Sequence, residues 1–278
     1  MKPTRTASVL LLALFVASSP RVALADPPPP AFTIQFDGDA AIWSPFDGFQ
    51  ACETVDTETL CLSLDNVVCN GAGKCYGDAH MEFDGAILNG SGSGPFEAKA
   101  SCVATPNPDD KVCSASLLIK ELVGVVSSCA FELLNFKVRG PVDNSGLFDG
   151  NASARLCLEE CQGQPRRCAS GSGEFDYAVN PPIPWNLTVN PVPDAQNPLK
   201  FTGTASDSLG FTYTAKGVHD PKNDMSKFVL LGDKVNDPWS AGAKVKLSDL
   251  VFQGSDVEDG TANIKVQGNK IPKAPLGP

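Results

Sequence analysis

Apolar and polar residues alternate one by one along much of this chain, and that period of two commits it to half-buried β-strands. The clearest run sets Phe148, Gly150, Ala152, Ala154, Leu156 and Leu158 on one face and Asp149, Asn151, Ser153, Arg155 and Cys157 on the other. Phe96, Ala98, Ala100, Cys102 and Ala104 repeat the pattern, as do Phe211, Tyr213 and Ala215, and Ala262, Ile264 and Val266. Clusters of glycine, asparagine and aspartate separate the runs, as expected of antiparallel strands joined by turns. Helical spacing is nearly absent. Two segments suit either state. Ala115 to Val126 is largely apolar, although Val123, Val125 and Val126 favour a strand. Asp220-Pro221 to Leu231-Gly232 carries helix start and stop signals around Phe228 to Leu231, which also suits a buried strand. The expected fold is all-β: an antiparallel, hairpin-built sheet, an elongated sandwich or open barrel, disulfide-stabilised in its N-terminal half.

The cysteines sharpen this picture. All ten lie between Cys52 and Cys168, an even number that suits five disulfides. Cys69 and Cys75 bracket the turn Asn70-Gly71-Ala72-Gly73-Lys74, and Cys102 and Cys113 flank Pro106-Asn107-Pro108-Asp109-Asp110. Ranked by spacing, the expected pairs are Cys52–Cys61, Cys69–Cys75, Cys102–Cys113, Cys129–Cys157 and Cys161–Cys168. Zinc is disfavoured, because no Cys-x-x-Cys pair occurs and no histidine sits at ligand spacing.

Disulfides imply an oxidising compartment, and the N-terminus points the same way. A basic stretch, Met1 to Arg5, precedes an apolar run from Val9 to Ala17 and the motif Ala23-Leu24-Ala25. That is the layout of a secretory signal over residues 1–25, with an apolar run too short to span a bilayer. No later stretch has membrane length, so no transmembrane segment is expected. The protein is expected to be secreted or periplasmic. The net charge of −10 becomes more negative still once Lys2, Arg5 and Arg21 leave with the signal. Such a surface repels phosphate backbones, which argues against nucleic acid and anionic membranes as partners.

Proline divides the remainder. Residues 26–30, Asp-Pro-Pro-Pro-Pro, form a stiff leader. A cysteine-rich β region follows over 31–180. Residues 181–198 hold six prolines, which argues against a central strand there and for a linker or crossing. A cysteine-free β region spans 199–268, and the polar, proline-rich residues 269–278 read as a disordered tail. Met81 to Gly90, Phe131 to Gly140 and Val245 to Gly254 align as a weak repeat, read as a hairpin with its turn at the glycine. Phe-x-Gly recurs at Phe36, Phe46, Phe83, Phe148, Phe201 and Phe252, which suggests a ring filling space left by a glycine on the same face.

Chemistry-bearing residues are sparse. Asp78, His80, Glu82 and Asp84 would share one strand face, where three carboxylates and an imidazole offer a weak candidate divalent-metal or acid–base site. A solvated outer face explains the same pattern. His219 adjoins Asp220, but neighbours in a loop seldom act as a dyad, and no glycine-flanked nucleophilic serine of the hydrolase type, Gly-x-Ser-x-Gly, exists. Asp143, Asn144, Ser145 and Asp149, and Asp256, Glu258 and Asp259, offer oxygen ligands of the calcium type without a helical calcium loop's spacing. Phosphate-cradling loops and dinucleotide fingerprints are missing, so no cofactor is expected. Asn89, Asn151 and Asn186 lie in glycosylation sequons.

The resulting expectation is an exported, non-enzymatic β-sheet protein acting as a binding or structural module for a protein, glycan or lipid partner. The alternative is a carrier of an apolar or lipid ligand in a β-sheet groove, favoured by 15 Phe against 3 Trp and 3 Tyr. The scarcity of Trp and Tyr argues against a lectin. A secreted hydrolase ranks third.

Overall fold

The computed structural model describes residues 27–104, 111–143, 147–159, 161 and 163–277. The signal sequence read over 1–25 lies outside them. The described chain is all-β, and both ambiguous segments are strands rather than helices. A first strand, β1 (Phe32–Phe36), precedes the cysteines. The cysteine-rich half then forms β2 (Gln50–Val55), β3 (Glu58–Cys69), β4 (Lys74–Asp84) and β5 (Gly90–Ala104). It continues with β6 (Lys111–Val126), β7 (Cys129–Val142), β8 (Leu147–Leu158) and β9 (Arg167–Ala178). The other half forms β10 (Trp185–Pro193), β11 (Lys200–Asp207), β12 (Thr212–Asp220) and β13 (Met225–Gly232). It ends with β14 (Lys244–Gln253), β15 (Asp256–Val266) and β16 (Asn269–Leu276).

All sixteen strands belong to one sheet, ordered β1-β10-β11-β12-β13-β14-β15-β16-β5-β6-β7-β8-β9, with β2, β3 and β4 branching from β5. Most pairs are antiparallel hairpins between consecutive strands. Two are not. β1 pairs with β10, Phe32 opposite Val189 and Phe36 opposite Trp185. β16 runs parallel to β5, with Asn269 opposite Cys102. Alternation gives each half its own core. Trp185, Leu187, Tyr213, Phe228, Leu230 and Leu247 centre one, while Phe96, Ile119, Leu122 and Phe131 centre the other. Each such side chain stabilises its half by roughly 1.5–3 kcal/mol on burial.

Phenylalanine does fill glycine's space, mostly across strands. Gly77, Gly124 and Gly217 lie directly opposite Phe96, Phe131 and Phe228, whose rings cover them. Within the Phe-x-Gly triplets only Phe148 is seen lying over its own Gly150; Gly85 faces the Glu58 carboxylate and Gly203 the Asn190 carbonyl. The aligned hairpins diverge too. Gly90 opens β5 and Gly254 makes the β14–β15 turn, but Gly140 sits inside β7 opposite Ala115.

Two boundary expectations are corrected. The proline-rich span 181–198 contains β10, flanked by β1 and β11. The Asn186 carbonyl accepts from Ser208 N–H on the β11 side, so odd-numbered residues of β10 face the other way. Pro191 and Pro193 therefore present their missing N–H groups past the end of β1, where no ladder bond is lost. Of the expected disordered tail, 269–278, Asn269–Leu276 form β16, with Ile271, Ala274 and Leu276 buried. Its pattern hid because Lys273 adopts φ 51°, part of a register shift between Ala262 and Ile264 that breaks the period of two.

The halves share a hydrogen-bonded seam. Ile42 and Ile183 exchange backbone bonds of 3.0 and 2.8 Å, so the chain leaves and rejoins the β1–β10 pair at one point. The loop closed by Cys69–Cys75 docks on the C-terminal half: Gly71 N donates to Trp239 O at 2.9 Å, and Gln267 N donates to Gly71 O at 3.0 Å. Buried Asn269 accepts from Trp43 N and donates to Trp43 O, both at 3.1 Å.

Three disulfides, Cys52–Cys61, Cys69–Cys75 and Cys102–Cys113, join residues directly opposed on adjacent strands. The other two correct the expectation of Cys129–Cys157 and Cys161–Cys168. The β8–β9 register places Cys157 opposite Cys168, and these two pair, leaving Cys129 to bond Cys161. Chain distance favoured Cys161–Cys168, but the hairpin's centre, not proximity in sequence, decides which cysteines meet.

Candidate functional site

The outer face of β4 is electrically divided. At its C-terminal end stand Asp78, His80, Glu82 and Asp84, all exposed, with Ala79 and Met81 buried on the opposite face. His80 Nε2 lies 3.5 Å from Asp65 Oδ2, and Asn66 Nδ2 donates to Asp78 Oδ2 at 3.0 Å. Alternate residues stand about 6.7 Å apart along a strand, too far for neighbouring carboxylates to share one ion at 2.0–2.6 Å distances without rearrangement. Among the described residues no group of three or more His, Cys, Asp or Glu could hold a metal ion.

The second histidine is enclosed. His219 on β12 opposes Ser226 on β13, with Nδ1 and Oγ 3.1 Å apart, and its Nε2 lies 3.7 Å from Asp224 Oδ1. The three resemble a hydrolytic line in composition. Ser226 is nevertheless fully buried, so a substrate carbonyl has no path to its hydroxyl. Asp220, the sequence neighbour, turns away. Its carboxylate accepts from Lys222 N and Asn223 Nδ2, bonds that hold its pKa below the usual range.

The acidic turns are similarly occupied or dispersed. Asp143 Oδ1 accepts from Leu147 N at 2.9 Å, while Asn144 and Ser145 lie outside the described residues. Asp149 faces Asp176 across β8–β9. Asp256, Glu258 and Asp259 on β15 border an open cleft of about 700 Å³ shared with Asp37 after β1. The sequon asparagines Asn89, Asn151 and Asn186 are all exposed.

The other end of β4 carries a cluster that local sequence motifs do not reveal. Across β4, β5, β6 and β7, Lys74 opposes Lys99, Lys99 opposes Ser116, and Ser116 opposes Arg139. Two residues along, Tyr76, Glu97, Leu118 and Lys137 form a second row. At about 4.8 Å per strand the first row spans about 14 Å. Ser116 and Leu118 floor a groove of about 350 Å³ bordered by Lys74, Lys99, Lys137 and Arg139. Its carboxylate, Glu97, is engaged by Lys120 at 2.7 Å; that hydrogen bond and charge lower the Glu97 pKa and raise that of Lys120. At the groove's end Tyr76 meets Trp239, ring centroids 6.1 Å apart and nearly perpendicular. Both are open to solvent, 37% and 46% exposed, whereas Trp43 and Trp185 are buried. Trp239 is held by the seam: its N–H donates to Asp237 Oδ1, and its carbonyl accepts from Gly71.

The chain matches no protein-family model, no curated protein and no solved structure. Its function therefore rests on its own surfaces. Reading Lys74, Lys99, Lys137 and Arg139 as one group requires the registers of three strand pairs, since they are scattered through the chain. Trp239 comes from the other half altogether. The hairpin marked by the Cys102–Cys113 pair supplies one of those registers, β5–β6, and was the available signal.

One apolar surface bears on the carrier alternative. Phe136, Ala152, Ala154 and Leu156 face Ala169, Gly171 and Gly173 around an open depression of about 440 Å³. Among the described residues no helix is long and apolar enough to cross a membrane.

Proposed function

We propose that the protein is an exported, non-enzymatic binding module whose recognition surface is the outer face of β4–β7, directed at an anionic partner. One observation carries this reading: Lys74 and Lys99 stand directly opposite each other beside Arg139 and Lys137, on a chain whose net charge is −10. Like charges directly opposed on a sheet are destabilising, and an anion laid across them relieves the cost. Five disulfides accord with an oxidising, secreted or periplasmic setting. Binding of polygalacturonate, poly-L-glutamate and polyphosphate to the wild type and to Lys99→Glu/Arg139→Glu tests the reading. At least one polyanion should bind, weakening with salt, and the variant should lose it. Absence of binding, or binding indifferent to the charge reversal, would defeat it.

The apolar depression over Phe136 and Leu156 favours a second reading, carriage of an apolar ligand. Organic extraction of the purified protein followed by mass spectrometry should release a lipid if that reading holds.

A further inference from the structure

Resting on that reading, we infer that the anionic partner is a carboxylated polysaccharide, laid across the strands of β4–β7 with one sugar ring against the Tyr76–Trp239 pair. The spacing of the cations is the first argument. Lys74, Lys99 and Arg139 are set along a line perpendicular to the strands at multiples of about 4.8 Å. That unit is close to the length of one pyranose along its chain, so two neighbouring uronates meet Lys74 and Lys99, the next passes over Ser116 on β6, and the one after it reaches Arg139 on β7. Arg139 can grip a carboxylate with two parallel N–H bonds, and the lysines act as point charges.

The aromatic pair is the second argument, and it separates a sugar from other polyanions. Tyr76, at the β4 end of the adjoining row, and its neighbour Trp239 are exposed, each offering an apolar face with a polar tip at a wet surface. The C–H face of a pyranose stacks on such a ring, while an acidic peptide or polyphosphate has no equivalent face. Nucleobases do stack on aromatic rings. A duplex keeps its bases stacked inside and cannot offer them to the two rings, so single-stranded nucleic acid is the competitor that the titration below must separate from a sugar. The groove floor suits a flat polymer as well, since Ser116 and Leu118 sit low between long cationic side chains. Because Trp239 is delivered by the C-terminal half and Tyr76 by β4, the complete site exists only while the seam is closed.

Trp239 also supplies the readout, since the chain's other two tryptophans are buried. Titration of the full-length protein with polygalacturonate should change the emission of Trp239. Dissociation constants for polygalacturonate, poly-L-glutamate and single-stranded poly(dT) would then be measured by calorimetry for the wild type, Tyr76→Ala/Trp239→Ala and Lys99→Gln/Arg139→Gln. The aromatic variant should lose about tenfold for polygalacturonate, the scale of one stacking contact, and stay within about twofold for poly-L-glutamate. The charge variant should lose both. Both variants alter exposed side chains, and unchanged far-UV circular dichroism would show that they fold. If poly-L-glutamate binds as tightly as polygalacturonate and the aromatic variant changes neither, the polysaccharide inference falls while the anion-binding surface stands. Tighter binding of poly(dT) overturns the inference in favour of single-stranded nucleic acid. Failure of every polyanion, or indifference to Lys99→Gln/Arg139→Gln, removes the binding-module reading and this inference together.

Discussion

The same substitution, glycine to alanine, should move stability in opposite directions at Gly217 and Gly171. Neither glycine has positive φ, so backbone strain does not distinguish them. Space does. A methyl carbon at Gly217 would stand 2.5 Å from Cδ1 of Phe228, where carbon atoms normally rest at about 3.5–4.0 Å. Phe228 cannot simply swing away. It is 1% exposed, with the rings of Phe32 and Phe201 centred 5.5 and 6.0 Å from its own. Overpacking of this kind costs about 1–3 kcal/mol. At Gly171 the added carbon meets nothing within 4 Å. There the gain is the freedom alanine removes from the unfolded chain, about 0.4–1 kcal/mol. Urea denaturation followed by circular dichroism would resolve the difference, since slopes of about 1–3 kcal/mol/M turn the Gly217→Ala loss into a midpoint shift near 1 M. Adding Phe228→Leu to Gly217→Ala should recover part of that loss. Shifts of one sign at both glycines, or no recovery with the smaller partner, would refute the steric argument.

Three further predictions concern the N-terminal half. Peptide mapping of the unreduced protein should recover Cys129 with Cys161 and Cys157 with Cys168; a Cys129–Cys157 peptide would contradict the β8–β9 register. Of the five links Cys129–Cys161 encloses the longest loop, so its replacement by serines should cost about 3–4 kcal/mol in denaturation, against about 2–3 for Cys69–Cys75. Glu58 accepts from Leu88 N and Ile87 N at 2.7 and 3.0 Å, which hold its carboxyl below the usual range. A lowered folded-state pKa gives a stabilisation present above the unfolded pKa and lost as pH falls through the folded one. Hydrogen-exchange protection at Ile87 and Leu88 should therefore drop on acidification below the ordinary glutamate range, and Glu58→Gln should abolish that pH dependence.

How much was legible follows from the range over which each feature is encoded. Strands are written locally, so Phe148 to Leu158 and Phe211 to Ala215 announced themselves by period. The tail did not, because the left-handed Lys273 shifts the phase between Ile271 and Ala274. Proline misled at β10, since the cost of Pro191 depends on how far a neighbouring strand extends, and β1 stops at Phe32. Pairings β1–β10 and β16–β5 join residues far apart in sequence, and no local pattern records them. The candidate site suffered the same way. Reading along β4 finds Asp78 to Asp84, whereas Lys74, Lys99, Lys137 and Arg139 are brought together only across the ladder.

The Ile42–Ile183 bridge gives the molecule an unusual dependence. Residues 43–182 leave and return through it, so topologically they are a guest spliced into a host made of β1 and β10–β16. While the guest is folded, its two ends are held together and β1 finds β10 at once. When the guest melts, the host must capture β1 through a slack tether of about 140 residues, an entropic penalty of about 4 kcal/mol. Every cysteine belongs to the guest. Thiol chemistry in one half thus sets how firmly the cysteine-free half can close, with the slack of the chain itself as the transmitter.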